Sequence, residues 1–232
     1  MRNIIVIPAR GGSKGIPKKN IYPINGKPLL EYTLDVIADA ELPNTDVVVS
    51  TDSEEIKQVA LKYANVCVID RPHSISGDTA STEDALLHAI DVMEDMTGLS
   101  YDAVLTMQPT SPLRRKETLR EFIKTFEQSL PNFDAMLSLS ETRGDYWIYN
   151  ENGKYERLFK DAPRRRQDRK PMYIENSAYY ITLVNSLKQT HSVLGNRVNG
   201  YVIPEVEGID INEPSDILIA QIYLGQEKVN NE

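Results

Sequence analysis

Short apolar runs with the character of β-strands alternate along this chain with segments whose apolar residues recur at helical spacing. Strands are predicted at Asn3–Pro8, Thr45–Ser50, Asn65–Asp70, Asp102–Met107, Phe133–Leu139 and Ser177–Leu183. Helices are predicted at Pro28–Ala40, after the cap Asp52-Ser53, at Ser81–Met96, at Lys116–Phe126 and from Pro214 to Gly225. Strands that alternate with helices form βαβ units, so the pattern predicts an α/β fold: a Rossmann-like, mostly parallel sheet with helices on both faces.

One stretch interrupts this alternation. Residues 141–173 are polar, aromatic and strongly basic, and we interpret them as an inserted arm or hairpin that contacts a second subunit or acts as a lid. The chain has 232 residues, 41% of them hydrophobic, which suits one large domain with a sizeable core. We therefore predict a single domain over residues 1–232 that forms a homodimer through the arm.

The charge of the chain is distributed unevenly. The formal net charge is −8, which argues against general binding of nucleic acid, because phosphate backbones require broad basic surfaces. Residues 1–30 nevertheless contain six Lys and Arg and no acid, and residues 157–170 contain seven Lys and Arg against two Asp. Two local cationic zones on an acidic protein favour a small polyanionic ligand.

The composition also bears on location. No apolar run approaches the roughly 18 residues needed to cross a bilayer, and the first residues lack a signal-peptide pattern. The single cysteine, Cys67, excludes an intrachain disulfide and fits a reducing compartment. We expect a cytoplasmic protein with no membrane partner.

A glycine-rich basic loop follows the first predicted strand directly: Pro8-Ala9-Arg10-Gly11-Gly12-Ser13-Lys14-Gly15-Ile16-Pro17-Lys18-Lys19-Asn20. In an open α/β sheet, ligands bind beyond the carboxyl ends of the strands, which is where this loop must lie. Glycines allow backbone N–H groups to approach phosphate oxygens, and the Arg and Lys side chains supply positive charge. Neither a Walker A ending nor Gly-x-Gly-x-x-Gly is present, so the loop predicts phosphate binding of another kind.

This loop resembles the signature of the acylneuraminate cytidylyltransferases, the CMP-sialic acid synthetases and their nonulosonate relatives. The resemblance continues in family order through Arg71-Pro72, Asp78-Thr79-Ala80-Ser81, Gln108-Pro109-Thr110-Ser111-Pro112-Leu113-Arg114, Arg165-Arg166-Gln167-Asp168, Asn176-Ser177-Ala178-Tyr179-Tyr180-Ile181 and Asp210-Ile211-Asn212. It implies transfer of CMP from CTP to the anomeric hydroxyl of a nine-carbon 2-keto acid sugar, such as N-acetylneuraminate or legionaminate, with release of pyrophosphate. Such a transfer requires no nucleophilic side chain.

The resemblance also implies roles for individual residues. The triphosphate would be held by Arg10, Gly11, Gly12, Ser13, Lys14, Lys19 and Asn20, and Arg71, Thr79, Ala80 and Ser81 would line the cytidine pocket. The acidic sugar would face Gln108, Arg166, Asn176 and Tyr180, with Arg166 reaching the site of the neighbouring subunit. The catalytic set would be Arg10, Lys14, Lys19 and Asp210. Asp210 would bind Mg²⁺ (or Mn²⁺) together with Asn212.

Asn212 departs from the family pattern, which is Asp-x-Asp with both carboxylates serving the metal. In a strand, side chains at i and i+2 share a face, so we expect Asp210 and Asn212 to reach one ion. A neutral amide binds hard Mg²⁺ more weakly than a carboxylate does. We predict retained activity with a higher metal requirement.

Two alternatives remain open at this point. One is a different sugar nucleotidyltransferase on the same fold, such as a CMP-Kdo synthetase or an enzyme that acts on a sugar phosphate. The other is a non-catalytic CTP-binding protein, which only Asn212 makes conceivable. The choice among N-acetylneuraminate, legionaminate and pseudaminate does not follow from these motifs, and we expect Tyr179 and the Asn196–Tyr201 loop to influence it.

Overall fold

The computed structural model describes residues 1–12 and 15–230. In chain order the strands are β1 (Asn3–Pro8), β2 (Pro23–Ile24), β3 (Lys27–Pro28), β4 (Thr45–Thr51), β5 (Val66–Asp70), β6 (Ala103–Thr106), β7 (Ala135–Thr142), β8 (Trp147–Tyr149), β9 (Tyr155–Arg157), β10 (Met172–Leu183) and β11 (Val198–Val202). The helices are α1 (Leu29–Ala40), α2 (Glu54–Ala60), α3 (Thr82–Thr97), α4 (Lys116–Ser129), α5 (Val184–Thr190) and α6 (Pro214–Asn230).

Seven of these strands form the central sheet, in the order β11-β7-β10-β6-β1-β4-β5. Strand β10 runs antiparallel to both of its neighbours, and the other adjacent pairs are parallel. The reversed β10 brings its amino-terminal half to the edge where β1, β6 and β7 end. Loops from several strands therefore meet at one edge, where ligands bind in open α/β sheets.

Helices cover both faces of the sheet, as predicted. Side chains of β1 alternate between two apolar layers: Ile5 and Ile7 pack with α1, α2 and α4, and Ile4 and Val6 pack with α3 and α5. Near-continuous apolar character in β1 is therefore the consequence of burial on both faces. A third, smaller cluster joins α6 to the β2–β3 hairpin through residues such as Ile24 and Ile217.

The predicted arm contains a separate two-stranded sheet, β8–β9. At its base, Asp145 accepts two hydrogen bonds from Arg157, at 2.9 and 2.8 Å, and one from Arg169 at 3.2 Å. Trp147, Ile148, Tyr149 and Tyr155 are all exposed. An ordered arm that presents this much apolar surface to solvent has the composition of a contact surface.

Three features of the fold differ from the sequence predictions. Helix α6 continues through Gly225, because this glycine keeps a helical backbone rather than the positive φ that ends helices. The Asn196–Tyr201 segment, interpreted as a loop, contributes most of the edge strand β11, whose Gly200 allows close approach to Leu139. The elements β2, β3 and α5 were not predicted, and the two strands are too brief to show a periodic pattern.

None of the helices in the described part of the chain is both long enough and apolar enough to cross a membrane.

Candidate active site

A cavity of about 450 Å³ opens at the edge where the parallel strands end. It is bounded by the loop after β1, the segment after β5, the start of α3, the loop after β6 and the segment before α6. The predicted site residues that line it are Arg10, Gly12, Lys19, Asn20, Arg71, Ala80, Ser81, Gln108 and Asn212. Two further predicted residues, Ser13 and Lys14, lie outside the described residues.

The loop after β1 is fixed by hydrogen bonds to its own backbone and to Asp52, which directly follows β4. Buried Asn20 donates through Nδ2 to the carbonyl of Arg10 at 2.9 Å, which closes the loop on itself. The Gly11 N–H donates to Asp52 Oδ1 at 2.8 Å. Gly11 does not line the cavity, and a Cβ placed there would lie 2.9 Å from the Cβ of Ser53. In this structure Gly11 permits close packing of the loop, and its N–H already has an acceptor.

Two arginines line the cavity in different ways. Arg71 is buried and donates through Nε to Ser50 Oγ at 3.0 Å and through Nη2 to the Ser50 carbonyl at 2.7 Å. Burial lowers its pKa, opposed by nearby Asp52. Arg10 instead spans the cavity to the Gly77 carbonyl at 2.9 Å and to Asp78 Oδ1 at 3.2 Å. Arg71 is thus held by the fold, whereas Arg10 makes contacts that an anion could replace.

Lys19 connects the loop after β1 to the segment before α6. Its Nζ donates to the Ile211 carbonyl at 2.9 Å and to Asn212 Oδ1 at 3.3 Å. Asn212 in turn donates through Nδ2 to Asp210 Oδ2 at 2.7 Å. A cation, an amide and a carboxylate therefore form one connected row beside the cavity.

The expectation that Asp210 and Asn212 lie in a strand is wrong. They belong to an irregular segment between the 3₁₀ turn Glu205–Gly208 and α6, and their side chains meet through the hydrogen bond rather than through strand geometry. Asp216, in the first turn of α6, accepts the N–H groups of Asn212 and Glu213 at 2.9 and 2.8 Å. These bonds fix the segment against α6.

The predicted cytidine-pocket residues do not share one environment. Ala80 and Ser81 line the cavity, whereas Thr79 is exposed outside its lining. Ser81 caps α3, its Oγ accepting the N–H of Asp84 at 3.0 Å. The lining in this segment therefore comes from the residues that begin α3.

The four predicted sugar-facing residues are separated in the monomer. Gln108 lines the cavity. Asn176 is buried, where its Oδ1 accepts from Ser138 Oγ at 2.5 Å and its Nδ2 donates to Ser140 Oγ at 2.9 Å. The hydroxyl of Tyr180 donates to the Glu175 carboxylate, and burial raises its pKa. Arg166 is exposed on the arm and does not line the cavity.

Tyr179 cannot contact a sugar from its present position. It is fully buried, stacked on Phe122 with ring centroids 5.2 Å apart. Its neighbour Tyr180 points to the opposite face of β10. The expectation that Tyr179 influences the choice of sugar is therefore wrong for this structure, and the residue belongs to the core.

Sequence reasoning assigned no role to Arg114, although the residue ends the quoted motif after β6. It is buried and donates to the carbonyls of Gln108 and Ala178 at 2.6 and 2.7 Å. Asp78 also went unassigned, and it lines the cavity beside Arg10. An arginine directly after an apolar Pro-Leu pair was the available signal for a buried cation.

The side chains near Asp210 offer few ligands for a metal ion. The described residues contain no group of three or more His, Cys, Asp or Glu that could hold an ion. Asp210 Oδ1, however, is a buried oxygen with no hydrogen-bond partner among the residues that the structure describes. Mg²⁺ in nucleotide sites typically takes one or two protein oxygens and completes its shell with phosphate and water. Asp210 and Asn212 fit that sparse mode of binding and do not form a protein-only site.

The sequence is similar to those of known cytidylyltransferases. The family described as "Cytidylyltransferase" matches residues 4–195. The pseudaminic acid cytidylyltransferase of Campylobacter jejuni (strain 81-176) is 32% identical over 234 residues, which cover 100% of this chain and 99% of the relative. The N-acylneuraminate cytidylyltransferase of Streptococcus agalactiae serotype V is 29% identical over 94% of this chain and 52% of the relative.

The fold also matches a solved structure. The CMP:2-keto-3-deoxy-manno-octonic acid synthetase complexed with CTP superposes with a TM-score of 0.64 at 16% identity. The match covers 98% of this chain and 100% of the other. At this identity the comparison concerns the fold alone, which is shared over essentially the whole chain.

Proposed function

The chain belongs to the cytidylyltransferase family, and from that premise we propose that its acceptor is pseudaminic acid. The chain is an enzyme that transfers CMP from CTP to a nine-carbon 2-keto acid sugar. The observation that carries the choice of sugar is the combination of length and identity: the pseudaminic acid relative matches end to end at 32% identity, whereas the N-acylneuraminate relative is about twice as long as the matched region. The CMP-N,N'-diacetyllegionaminic acid synthase of Legionella pneumophila is covered over 93% of its length but is 29% identical.

Pyrophosphate release with CTP and Mg²⁺ tests this choice. The panel contains pseudaminate, N-acetylneuraminate, N,N′-diacetyllegionaminate and Kdo at equal concentration. We expect kcat/KM for pseudaminate to exceed that for each other acid by about tenfold or more, since each good polar contact to a substituent contributes that much discrimination. A higher value for any other acid would replace pseudaminate as the acceptor, and turnover of Kdo alone would indicate the eight-carbon acid.

In the proposed reaction the anomeric hydroxyl of the sugar loses its proton to solvent, and its oxygen forms a bond to the α-phosphorus of CTP. The bond from that phosphorus to the bridging oxygen breaks, and pyrophosphate leaves. Negative charge grows on the phosphate oxygens, and the cations that line the cavity would stabilise it: Arg10 and Lys19, with Lys14 from the same loop. Gly11, Gly12, Ser13 and Asn20 belong to the same proposed triphosphate loop. Arg71, Thr79, Ala80 and Ser81 are proposed to form the cytidine pocket.

A divalent cation, Mg²⁺ or Mn²⁺, would neutralise phosphate charge when bound. Asp210 is the proposed protein ligand, because its Oδ1 is buried without a partner in the described part of the chain, while its Oδ2 accepts from Asn212. The Asn212 amide oxygen accepts a 3.3 Å hydrogen bond from Lys19, a length that is readily given up. Asn212 is therefore proposed as a second, weaker oxygen ligand.

The sugar is proposed to bind between Gln108 and the start of β10, where Asn176 and Tyr180 lie. A planar guanidinium pairs with a carboxylate through two N–H groups, which is the role proposed for Arg166. Since Arg166 of the same chain lies outside the cavity, this role requires the arm of a second subunit. We accordingly propose a homodimer in which the arm over residues 141–173 completes the partner's sugar site.

Mixing two inactive variants tests the shared site. In Lys19→Met the loop of a subunit is defective but its arm is intact, and in Arg166→Ala the reverse holds. If arms are exchanged, co-refolded mixtures recover about a quarter of wild-type activity, because half of the dimers are mixed and each contains one intact site. If each subunit uses its own Arg166, the mixture recovers nothing.

The remaining parts of the proposal concern surroundings. We propose that the enzyme acts in the cytoplasm, where CTP and a reduced Cys67 are both expected, and that it binds neither nucleic acid nor a membrane surface.

A further inference from the structure

We infer that Arg114 is a positioning residue that fixes the distance between the nucleotide side and the sugar side of the active site. The inference rests on the proposed sugar site between Gln108 and the start of β10. Arg114 ends the loop after β6 and its side chain is buried, with 4% of the residue exposed. It does not line the cavity, so its influence on substrates must pass through the residues it holds.

The Arg114 guanidinium lies between two backbone segments that do not pair with each other in the sheet: the loop after β6 and the bulge of β10. Strands β6 and β10 pair only as far as Tyr180 opposite Thr106. Beyond that pair β6 turns away towards Gln108, and the pairing of β10 with β7 shifts register between Glu175 and Tyr180. Ser177, inside this bulge, has φ of 59°. Carbonyl groups in the gap therefore lack the ladder partners that regular strands would supply.

Arg114 supplies the missing donors. Nη2 donates to the Gln108 carbonyl at 2.6 Å and Nη1 to the Ala178 carbonyl at 2.7 Å, so one guanidinium joins the ends of two strands that no longer pair. Two acceptors cannot bond each other, and a guanidinium fork is the side chain that donates to both from one position. The spacing between these carbonyls is thus set by the fork.

A third contact fixes the orientation of the Arg114 guanidinium group. Nη2 also donates to Thr33 Oγ1 of α1 at 2.5 Å, and the guanidinium carbon lies 5.6 Å from the ring centroid of Tyr179. Burial lowers the Arg114 pKa to about 10, and Tyr179, Asp210 and Glu207 oppose that shift. A buried cation is costly to retain. The hydrogen bonds of Arg114 hold Gln108 directly, through the carbonyl of that residue. They hold Asn176 and Tyr180 indirectly, through Ala178, which lies between those two residues in sequence.

The same geometry predicts why lysine is a poor substitute. A lysine ammonium has three donors in tetrahedral array on a flexible stem, so it cannot hold two carbonyls in the plane of a fork. In Arg114→Lys the loop with Gln108 and the bulge of β10 should move relative to each other. The described residues of the loop after β1 form no hydrogen bond with Arg114, so the triphosphate binding proposed for this loop should be unaffected.

Steady-state kinetics of Arg114→Lys tests the inference, with the best acid from the panel as acceptor. We expect KM for the sugar to rise by about tenfold or more and kcat to fall, while KM for CTP stays within about threefold. Arg120→Lys is the matched control, because Arg120 also donates to two carbonyls, those of Ala40 at 2.8 Å and Asp39 at 3.1 Å, but remote from the site. This control should leave both KM values unchanged. A folded Arg114→Lys enzyme with an unchanged sugar KM, or with both KM values raised equally, would overturn the inference.

Thr33→Val provides a second test if Arg114→Lys does not fold. It removes one of the three acceptors and retains the two carbonyl contacts, so the sugar KM should rise by a few-fold at constant CTP KM. An unchanged sugar KM in this variant would then overturn the inference. Gln108→Ala distinguishes failure of the proposed sugar site from failure of the role inferred for Arg114. If this variant leaves the sugar KM unchanged, the proposed sugar site is wrong. If it raises the sugar KM while Arg114→Lys and Thr33→Val do not, only the role of Arg114 is wrong.

Discussion

A hydrogen bond between Lys19 and Asn212 connects the loop after β1 to the segment before α6 beside the active-site cavity. The ammonium of Lys19 donates to Asn212 Oδ1 at 3.3 Å and to the neighbouring Ile211 carbonyl at 2.9 Å. Lys19 belongs to the loop after β1, which is proposed to hold the triphosphate, and Asn212 contacts Asp210, the proposed metal ligand. We therefore expect phosphate binding and metal binding to be coupled through this pair of side chains, so that a change at one residue alters binding at the other site.

Asn212→Asp should lower the metal requirement. A carboxylate at 212 cannot donate to Asp210, so in the absence of metal two negative groups face each other, and in its presence both bind it. We expect the half-saturating Mg²⁺ concentration to fall by about tenfold, and the rise in melting temperature on adding Mg²⁺ to exceed that of the wild type. Mg²⁺ titrations of activity and of thermal unfolding measure the two effects. Glu213→Gln, a change to the adjacent exposed carboxylate, is the control. An unaltered titration in Asn212→Asp would exclude position 212 from the metal site.

Lys19→Met should reduce turnover more than affinity. The Lys19 side chain lines the cavity, where the proposed reaction builds negative charge on phosphate oxygens, and removing one donor to such charge typically costs about 100-fold or more in kcat. Lys18→Met is a stringent control, since Lys18 is the adjacent lysine but forms an exposed ion pair with Glu55 at 2.6 Å. Pyrophosphate release at saturating CTP and sugar compares them. Equal loss in the two variants would mean that the loop contributes only general positive charge.

The regular part of the fold could be predicted because its signals are local. The double-sided burial of β1 gives a continuous apolar run, and α1 shows a complete apolar stripe, so both were predicted within a few residues. The position of the loop after β1 could be predicted as well, because a glycine-rich basic loop that directly follows a parallel strand lies at the carboxyl edge of the sheet.

Other parts depend on contacts that sequence spacing does not encode. The bulge at Ser177 alters the alternation of β10, so the inward orientation of Tyr179 could not be derived from its neighbours. The meeting of Asp210 with Asn212 arises in an irregular segment fixed by Asp216. The position of Arg166 relative to the sugar depends on a second subunit, which no single-chain pattern can define.

Asp134→Asn should destabilise the fold in a pH-dependent manner. Desolvation by burial raises the pKa of Asp134. Hydrogen bonds from the N–H groups of Arg197 and Asn196 and from the Ser186 hydroxyl outweigh this effect and lower the pKa below its ordinary 3.8. A depressed carboxyl pKa contributes stability above the unfolded-state value, and that stability is lost as the pH falls through the folded-state value. We expect a loss of about 1–3 kcal/mol at pH 7, shrinking below about pH 4. Urea unfolding of wild type, Asp134→Asn and the exposed control Asp161→Asn checks this. A constant difference across pH would contradict an ionised Asp134.

Asp78→Asn should strengthen CTP binding. Arg10 is paired with Asp78 at 3.2 Å, and 59% of the Asp78 side chain is exposed. The triphosphate must compete with this partner, and exposed ion pairs contribute up to about 1 kcal/mol, so releasing Arg10 should lower the dissociation constant for CTP by about two- to fivefold. Calorimetric titration without sugar measures the effect, and raised salt should diminish the advantage of the variant because screening already weakens the pair.

Asp70→Asn, which removes an exposed partner of Lys57 at 2.9 Å outside the cavity, is the control and should leave the affinity for CTP unchanged. Weaker CTP binding in Asp78→Asn would instead mean that this carboxylate contributes to the bound state, either by accepting from the nucleotide or by helping to hold the metal.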